Sequence, residues 1–105
     1  MEKVIIKVKK ETAEYLEDLL EREDIDFSEE GIDEDSTIET FTAKFSNGYE
    51  ADIKVCSGEH NCYVDPVLFN ANGCQIGLLE PDYELLGEYT FEVENEEYTV
   101  ILELE

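Results

Sequence analysis

Residues 41–55, FTAKFSNGYEADIKV, decide how the chain folds. Phe41, Ala43 and Phe45 alternate with polar residues, and so do Tyr49, Ala51, Ile53 and Val55. Alternation with period two marks half-buried strands. Asn47-Gly48 invites a two-residue turn. That turn pairs Phe45 with Glu50 and Phe41 with Lys54, which splits the apolar faces. A three-residue loop, Ser46-Asn47-Gly48, instead pairs Phe45 with Tyr49, Ala43 with Ala51 and Phe41 with Ile53. It also sets Lys44 opposite Glu50 and puts Gly48 in the left-handed position. This register is expected, because a one-residue slip sends the whole apolar set to the wrong face.

Working outward, residues 64–70 and 74–79 form a second hairpin that turns at Ala71-Asn72-Gly73. Pro66 points to an edge position or a strand start there. Residues 88–93 and 98–104 form a third pair. A turn at Asn95-Glu96 aligns Val93 with Tyr98, Phe91 with Val100 and Tyr89 with Leu102. Residues 81–86 read as one helical turn stopped by Gly87. In residues 2–9, Val4, Ile6 and Val8 point one way and Lys3, Ile5, Lys7 and Lys9 the other. Four of the seven cations lie in residues 1–10, so this strand needs a Glu-bearing neighbour. Thr12 caps an expected helix over residues 13–23, with Ala13, Leu16, Leu19 and Leu20 as its apolar stripe. Residues 24–37 keep no period and read as a long loop anchored by Ile25, Phe27 and Ile32. The expected fold is α+β: one domain, residues 1–105, with one helix on a mostly antiparallel sheet of six or seven strands. The helix follows the first strand, in the order β-α-β-β-β-β-β-β.

At 42% hydrophobic, 105 residues suffice for one real core. The net charge of -22 is the unusual quantity. It disfavours direct contact with nucleic-acid phosphates or anionic lipid and favours basic proteins and cations. No apolar run approaches the roughly 20 residues of a membrane span. With no export signal in view, three cysteines fit a reducing cytoplasm.

Few motifs carry chemistry. There is one histidine, His60, and no nucleophile elbow, phosphate loop or H-E-x-x-H helix, so no catalytic residue is nominated and an enzyme is not expected. Cys56, His60, Cys62 and Cys74 fall within nineteen residues and form a candidate zinc set, since Cys₃His is an accepted tetrahedral arrangement. The spacing lacks a C-x₂-C knuckle. The plainer reading packs Cys56 and Cys74 in strands as small apolar residues and leaves His60 and Cys62 in a loop. Asp24-x-Asp26-x-Ser28 mimics the start of a calcium loop, but Glu29 stands where the sharp-turn glycine belongs.

The stronger lead is electrostatic. Residues 11–39 hold fourteen of the twenty-nine carboxylates against one cation, Arg22. Residues 80–105 add ten acids and no Lys or Arg. Solubility alone asks for a net charge of only about 2–8. The excess points to a basic partner protein, itself a nucleic-acid-binding one in the fullest version of this reading. In size and composition the chain is similar to the DNA-mimic inhibitors of phages and mobile elements, including anti-restriction and anti-CRISPR proteins. The likeness is one of physical class and transfers no residue. The expected function is therefore a non-catalytic acidic binding protein. Glu14, Glu17, Asp18 and Glu21 on the helix, with Asp33, Glu34 and Asp35 in the loop, are nominated as its partner-binding residues. The alternatives are an accessory domain whose acidity keeps it soluble, and a zinc-stabilised module.

Overall fold

The computed structural model describes residues 2–24, 26–33 and 35–105, with Glu30 described in its backbone alone. Ile25, an expected anchor, and Glu34, a nominated partner contact, lie outside the described residues. The elements in order are β1 (Glu2–Val8), α1 (Lys10–Glu21), α2 (Phe27–Glu30), β2 (Thr37–Lys44), β3 (Glu50–Ser57), β4 (Cys62–Phe69), β5 (Gln75–Leu78), β6 (Gly87–Val93) and β7 (Glu96–Leu104).

The class is α+β with mostly antiparallel pairing, but the strands divide into two sheets. One has the order β1-β7-β6 and the other β2-β3-β4-β5. The expectation of one sheet under one helix fails for a reason of size. A helix is about 10–12 Å wide and strands lie about 4.8 Å apart, so one helix shields only two or three strands. Seven amphipathic strands are better covered by folding the sheet faces onto each other. Ile53, Val55, Val64 and Leu68 of one sheet and Phe91, Val100 and Leu102 of the other are buried in a single core. The helix stripe of Ala13, Leu16, Leu19 and Leu20 joins that core as expected.

Two seams bring the sheets together. β1 lies beside β2, and β5 beside β6. The second seam needs a residue without a side chain. A Cβ added at Gly77 would stand 3.3 Å from the Leu68 Cβ and 3.4 Å from the Phe91 ring.

The first hairpin has the expected register. Phe41 faces Ile53, Ala43 faces Ala51 and Lys44 faces Glu50. The Phe45 N–H donates to the Tyr49 carbonyl (2.8 Å), and Gly48 has a φ of 91°. The second hairpin closes in the same way, with Asn70 N–H to Cys74 O at 2.8 Å and Gly73 at a φ of 81°. Pro66 lies inside β4, between two neighbouring strands, and not at a strand start or an edge. Its carbonyl accepts from Leu79 N–H. Its nitrogen points to that same side, beyond the last β5 pairing at Val67–Leu78. Having no N–H, the proline cannot return the bond to Leu79 that a ladder residue would make, and it sits where the β5 ladder ends.

Four further expectations are corrected. The third hairpin is shifted by two residues: Val93 faces Glu96, Phe91 faces Tyr98 and Tyr89 faces Val100. A two-residue slip keeps every side chain on its face, so alternation alone cannot distinguish the registers. Glu94 and Asn95 form the turn, both at positive φ (51° and 68°), as a two-residue hairpin of this hand requires. The helix starts at Lys10 with Lys9 as its cap residue, so Thr12 lies in the first turn and caps nothing. The helix also ends at Glu21, two residues early. Residues 81–86 form no helix. Asp82 instead makes an antiparallel bridge to Val64, extending sheet hydrogen bonding past β5.

β1 is the expected amphipathic strand, and its neighbour is acidic. It runs parallel to β7, with Lys7 Nζ 2.7 Å from Glu103 Oε2.

Candidate functional site

The molecule has two chemically different ends. At the hairpin end are the turns at 46–48, 71–73 and 94–95. A Cβ at Gly48 would meet Ala71 Cβ at 3.1 Å, which places the first two turns side by side. The Ser46 N–H and hydroxyl both donate to the Glu2 carboxylate, and Asn47 Nδ2 donates to the Tyr98 hydroxyl at 3.0 Å. The two Ser46 bonds, the side-chain one first, hold the Glu2 carboxyl below its ordinary value. Phe45 and Tyr49 each lie 5.2 Å from the Tyr98 ring.

At the opposite, loop end are segments 22–36, 58–61 and 79–86. Ser57, buried at the end of β3, ties the first of these down. Its hydroxyl donates to the Asp33 carbonyl at 2.5 Å and accepts from Ser36 N–H at 3.0 Å. Phe27 is buried and Ile32 packs on the core, so two of the three expected anchors in this stretch hold, the third, Ile25, lying outside the described residues. The segment also contains one helical turn, α2. Asp26 caps it by accepting from Ser28 N–H (3.1 Å) and Ser28 Oγ (2.6 Å). Gly31 ends it in the left-handed conformation. Asp26, part of the apparent calcium motif, is thus occupied as a helix cap. The Ser28 hydroxyl is the main reason its carboxyl stays below the ordinary range.

α1 leaves β1 at the basic pair Lys9-Lys10 and ends where Leu20, Glu21, Arg22 and Glu23 line a cleft of about 280 Å³ with Asn61 and Tyr83. Its charge therefore becomes more acidic towards its C-terminus, against the helix dipole. Of the nominated helix residues, Glu14, Asp18 and Glu21 are exposed and Glu17 is half-buried. Glu14 lies 4.0 Å from Lys10, and Asp18 binds Arg22 at 2.7 Å. Glu17 and Glu21 line a second cleft of about 220 Å³ with Tyr83, Glu84 and Leu86. Of the nominated loop residues, Asp33 and Asp35 are exposed. Asp33 joins Asp24, Asp26, Glu59 and His60 around an open hollow of about 650 Å³. The helix set and Asp33 thus face different hollows.

Glu59, Asp82, Tyr83 and Glu84 also belong to this end and were not singled out from the sequence. Their loops have no period. The Val64–Asp82 bridge and the Tyr89 hydroxyl bonds to Glu84 and Leu85, pairings the sequence pattern does not show, fix 82–84 near the helix terminus.

The structure holds the candidate zinc residues apart. Cys62 is buried and faces inward opposite Ser57, while Cys56 lies on the other face opposite Tyr63. Cys74 sits exposed at the hairpin end, beyond eight residues of β4, a length of about 26 Å. His60 is at the tip of the 58–61 loop, with Nε2 3.9 Å from Glu59 Oε1. Among the described residues no three His, Cys, Asp or Glu side chains form a metal-binding group. Burial pushes the Cys56 and Cys62 thiols up, away from the thiolate form a metal requires. Cys62 is a core residue of β4, not the loop residue its spacing suggested.

Among the described residues no helix is long and apolar enough to cross a membrane. Comparison with protein-family models, with curated proteins and with solved structures finds no match to this chain.

Proposed function

We propose that the chain is a non-catalytic acidic binding protein that engages a basic protein partner, one that itself binds nucleic acid. The observation that carries this reading is the charge at the loop end. Glu14, Glu17, Asp18 and Glu21 follow one another along a helix of fixed geometry. Seven residues at 1.5 Å each spread these four carboxylates over about 10 Å. That approaches the 3.4 Å phosphate spacing of one strand of a duplex. Lys10 and Arg22 offset part of it, so the acids lining the adjoining clefts, Glu23 and Glu84, matter to the total, and the loop acids Asp33 and Asp35 add to it from outside those clefts.

Like charges gathered this way repel by about 1 kcal/mol per close pair in water. Burial of Leu16, Leu19 and Leu20 beneath them supplies the offsetting stabilisation. A basic groove removes the repulsion and speeds encounter. The acids on the sheet faces and at the hairpin end, such as Glu92, Glu94 and Glu97, fit the solubility alternative equally well. The zinc-stabilised alternative gains no support, because its four residues are not held together.

The test is salt-graded capture. Immobilised protein retains nucleic-acid-binding proteins from lysate at low salt and releases them towards 1 M, where screening shortens to about 3 Å. Retention no better than that of an acidic polymer of equal charge leaves the solubility reading in its place.

A further inference from the structure

Between the two clefts beside α1 stands Tyr83, 57% exposed although its backbone is unusually well held. Asp82 N–H and C=O both bond to Val64, at 3.0 and 2.7 Å. The Asp82 carboxylate accepts from the N–H groups of Tyr83 and Glu84. Leu85 is fully buried, and the Tyr89 hydroxyl donates to the carbonyls of Glu84 and Leu85. An exposed aromatic on so fixed a bend loses little entropy when something stacks on it, which is the character of an interface anchor. Glu17, Glu21 and Glu84 line the cleft on one side of its ring.

From this geometry we infer that Tyr83 and its flanking carboxylates receive an arginine side chain of the basic partner. The guanidinium lies over the Tyr83 ring and its fork bonds Glu21 or Glu84. Charge complementarity selects a cation. The pairing of a flat ring with carboxylates selects arginine over lysine, whose compact ammonium neither stacks nor makes a two-pronged bond. The inference rests on the proposed basic partner and names the point at which that partner is held.

The test uses the full chain labelled with ¹⁵N and two short blocked peptides, one with two arginines and one with lysines in their place, at low salt. The arginine peptide is expected to shift the amides of residues 17, 21 and 83–86 and to bind several-fold tighter than the lysine peptide. Tyr83→Ala is expected to weaken arginine-peptide binding about three- to five-fold and to remove the preference. Tyr15→Ala, at a 51% exposed tyrosine on α1, should change neither. Equal binding of the two peptides, shifts spread over every acidic surface, or an unchanged Tyr83→Ala variant overturns the arginine site. If Tyr83→Ala leaves arginine-peptide binding unchanged while native protein still captures basic proteins in a salt-sensitive way, the broader function stands and this site fails. If native protein captures no basic protein, the broader function fails first.

Discussion

The hairpin end and the loop end are built from different kinds of instruction. At the hairpin end each turn is local. Gly48, Gly73 and the Glu94-Asn95 pair sit at positive φ between strands whose alternation sets the pairing. At the loop end the order comes from distant residues: Ser57 with Asp33 and Ser36, Val64 with Asp82, Tyr89 with Glu84 and Leu85. Charge is therefore free to accumulate at the loop end, because each of those ties uses backbone groups or a hydroxyl and none uses a charged side chain. The difference teaches that the acidic loops can be ordered without being neutralised.

Four variants break or sharpen that contrast. The largest effect is expected at the loop end. Leu85→Ala empties a fully buried site beneath the Tyr83 bend and should cost about 2–5 kcal/mol in urea denaturation. A loss well under 1 kcal/mol would mean that this end is not packed as described. Gly48→Ala comes next. The left-handed φ of 91° and the 3.1 Å approach to Ala71 predict a loss of about 1–2 kcal/mol, read the same way. Third, Glu94→Asn with Asn95→Gly relieves two left-handed residues and should stabilise by about 1 kcal/mol, with no change in acidity at the loop end. A destabilised double variant would contradict the two-residue turn.

The smallest effect concerns pH. The Glu2 carboxyl is held below its ordinary 4.5 by Ser46, so the folded form binds a proton more weakly than the unfolded chain. That contribution is complete above about pH 4.5 and is lost as pH falls through the lowered value. Ser46→Ala should therefore be less stable than native protein at about pH 7, and the gap should narrow as the pH falls below about 4.5. A gap that widens in acid would contradict the assignment.

How much was legible in the sequence follows the same division. The register of the first hairpin, the turn of the second, the β1 alternation and the helix stripe were all readable, because each depends on near neighbours, whereas the bulge that shifts the second hairpin's pairing at Leu68–Phe69 was not. The third hairpin was readable to within its face but not its register, since Phe91 is equally apolar opposite Tyr98 or Val100. The split into two sheets was hidden because alternation shows that a face is buried without saying what covers it. The Tyr83 clefts were hidden because Asp82 lies in an aperiodic stretch after β5, and its bridge returns across the whole second hairpin to Val64. The clustering of Cys56, His60, Cys62 and Cys74 misled for the opposite reason. Nearness in sequence was read as nearness in space, whereas one strand step reverses the face and one strand length separates the ends.

The central claim is that the partner reads the loop end and not net charge. The direct measurement is affinity for one captured basic protein, compared between two charge-reversed chains of equal net charge. One carries Glu14, Glu17, Asp18 and Glu21 changed to Lys; the other carries Glu92, Glu94, Glu96 and Glu97 changed to Lys, with folding of both checked by circular dichroism. The account predicts that binding is lost in the first and retained in the second. Equal loss in both would show that the acidity acts as undirected charge and would contradict the claim.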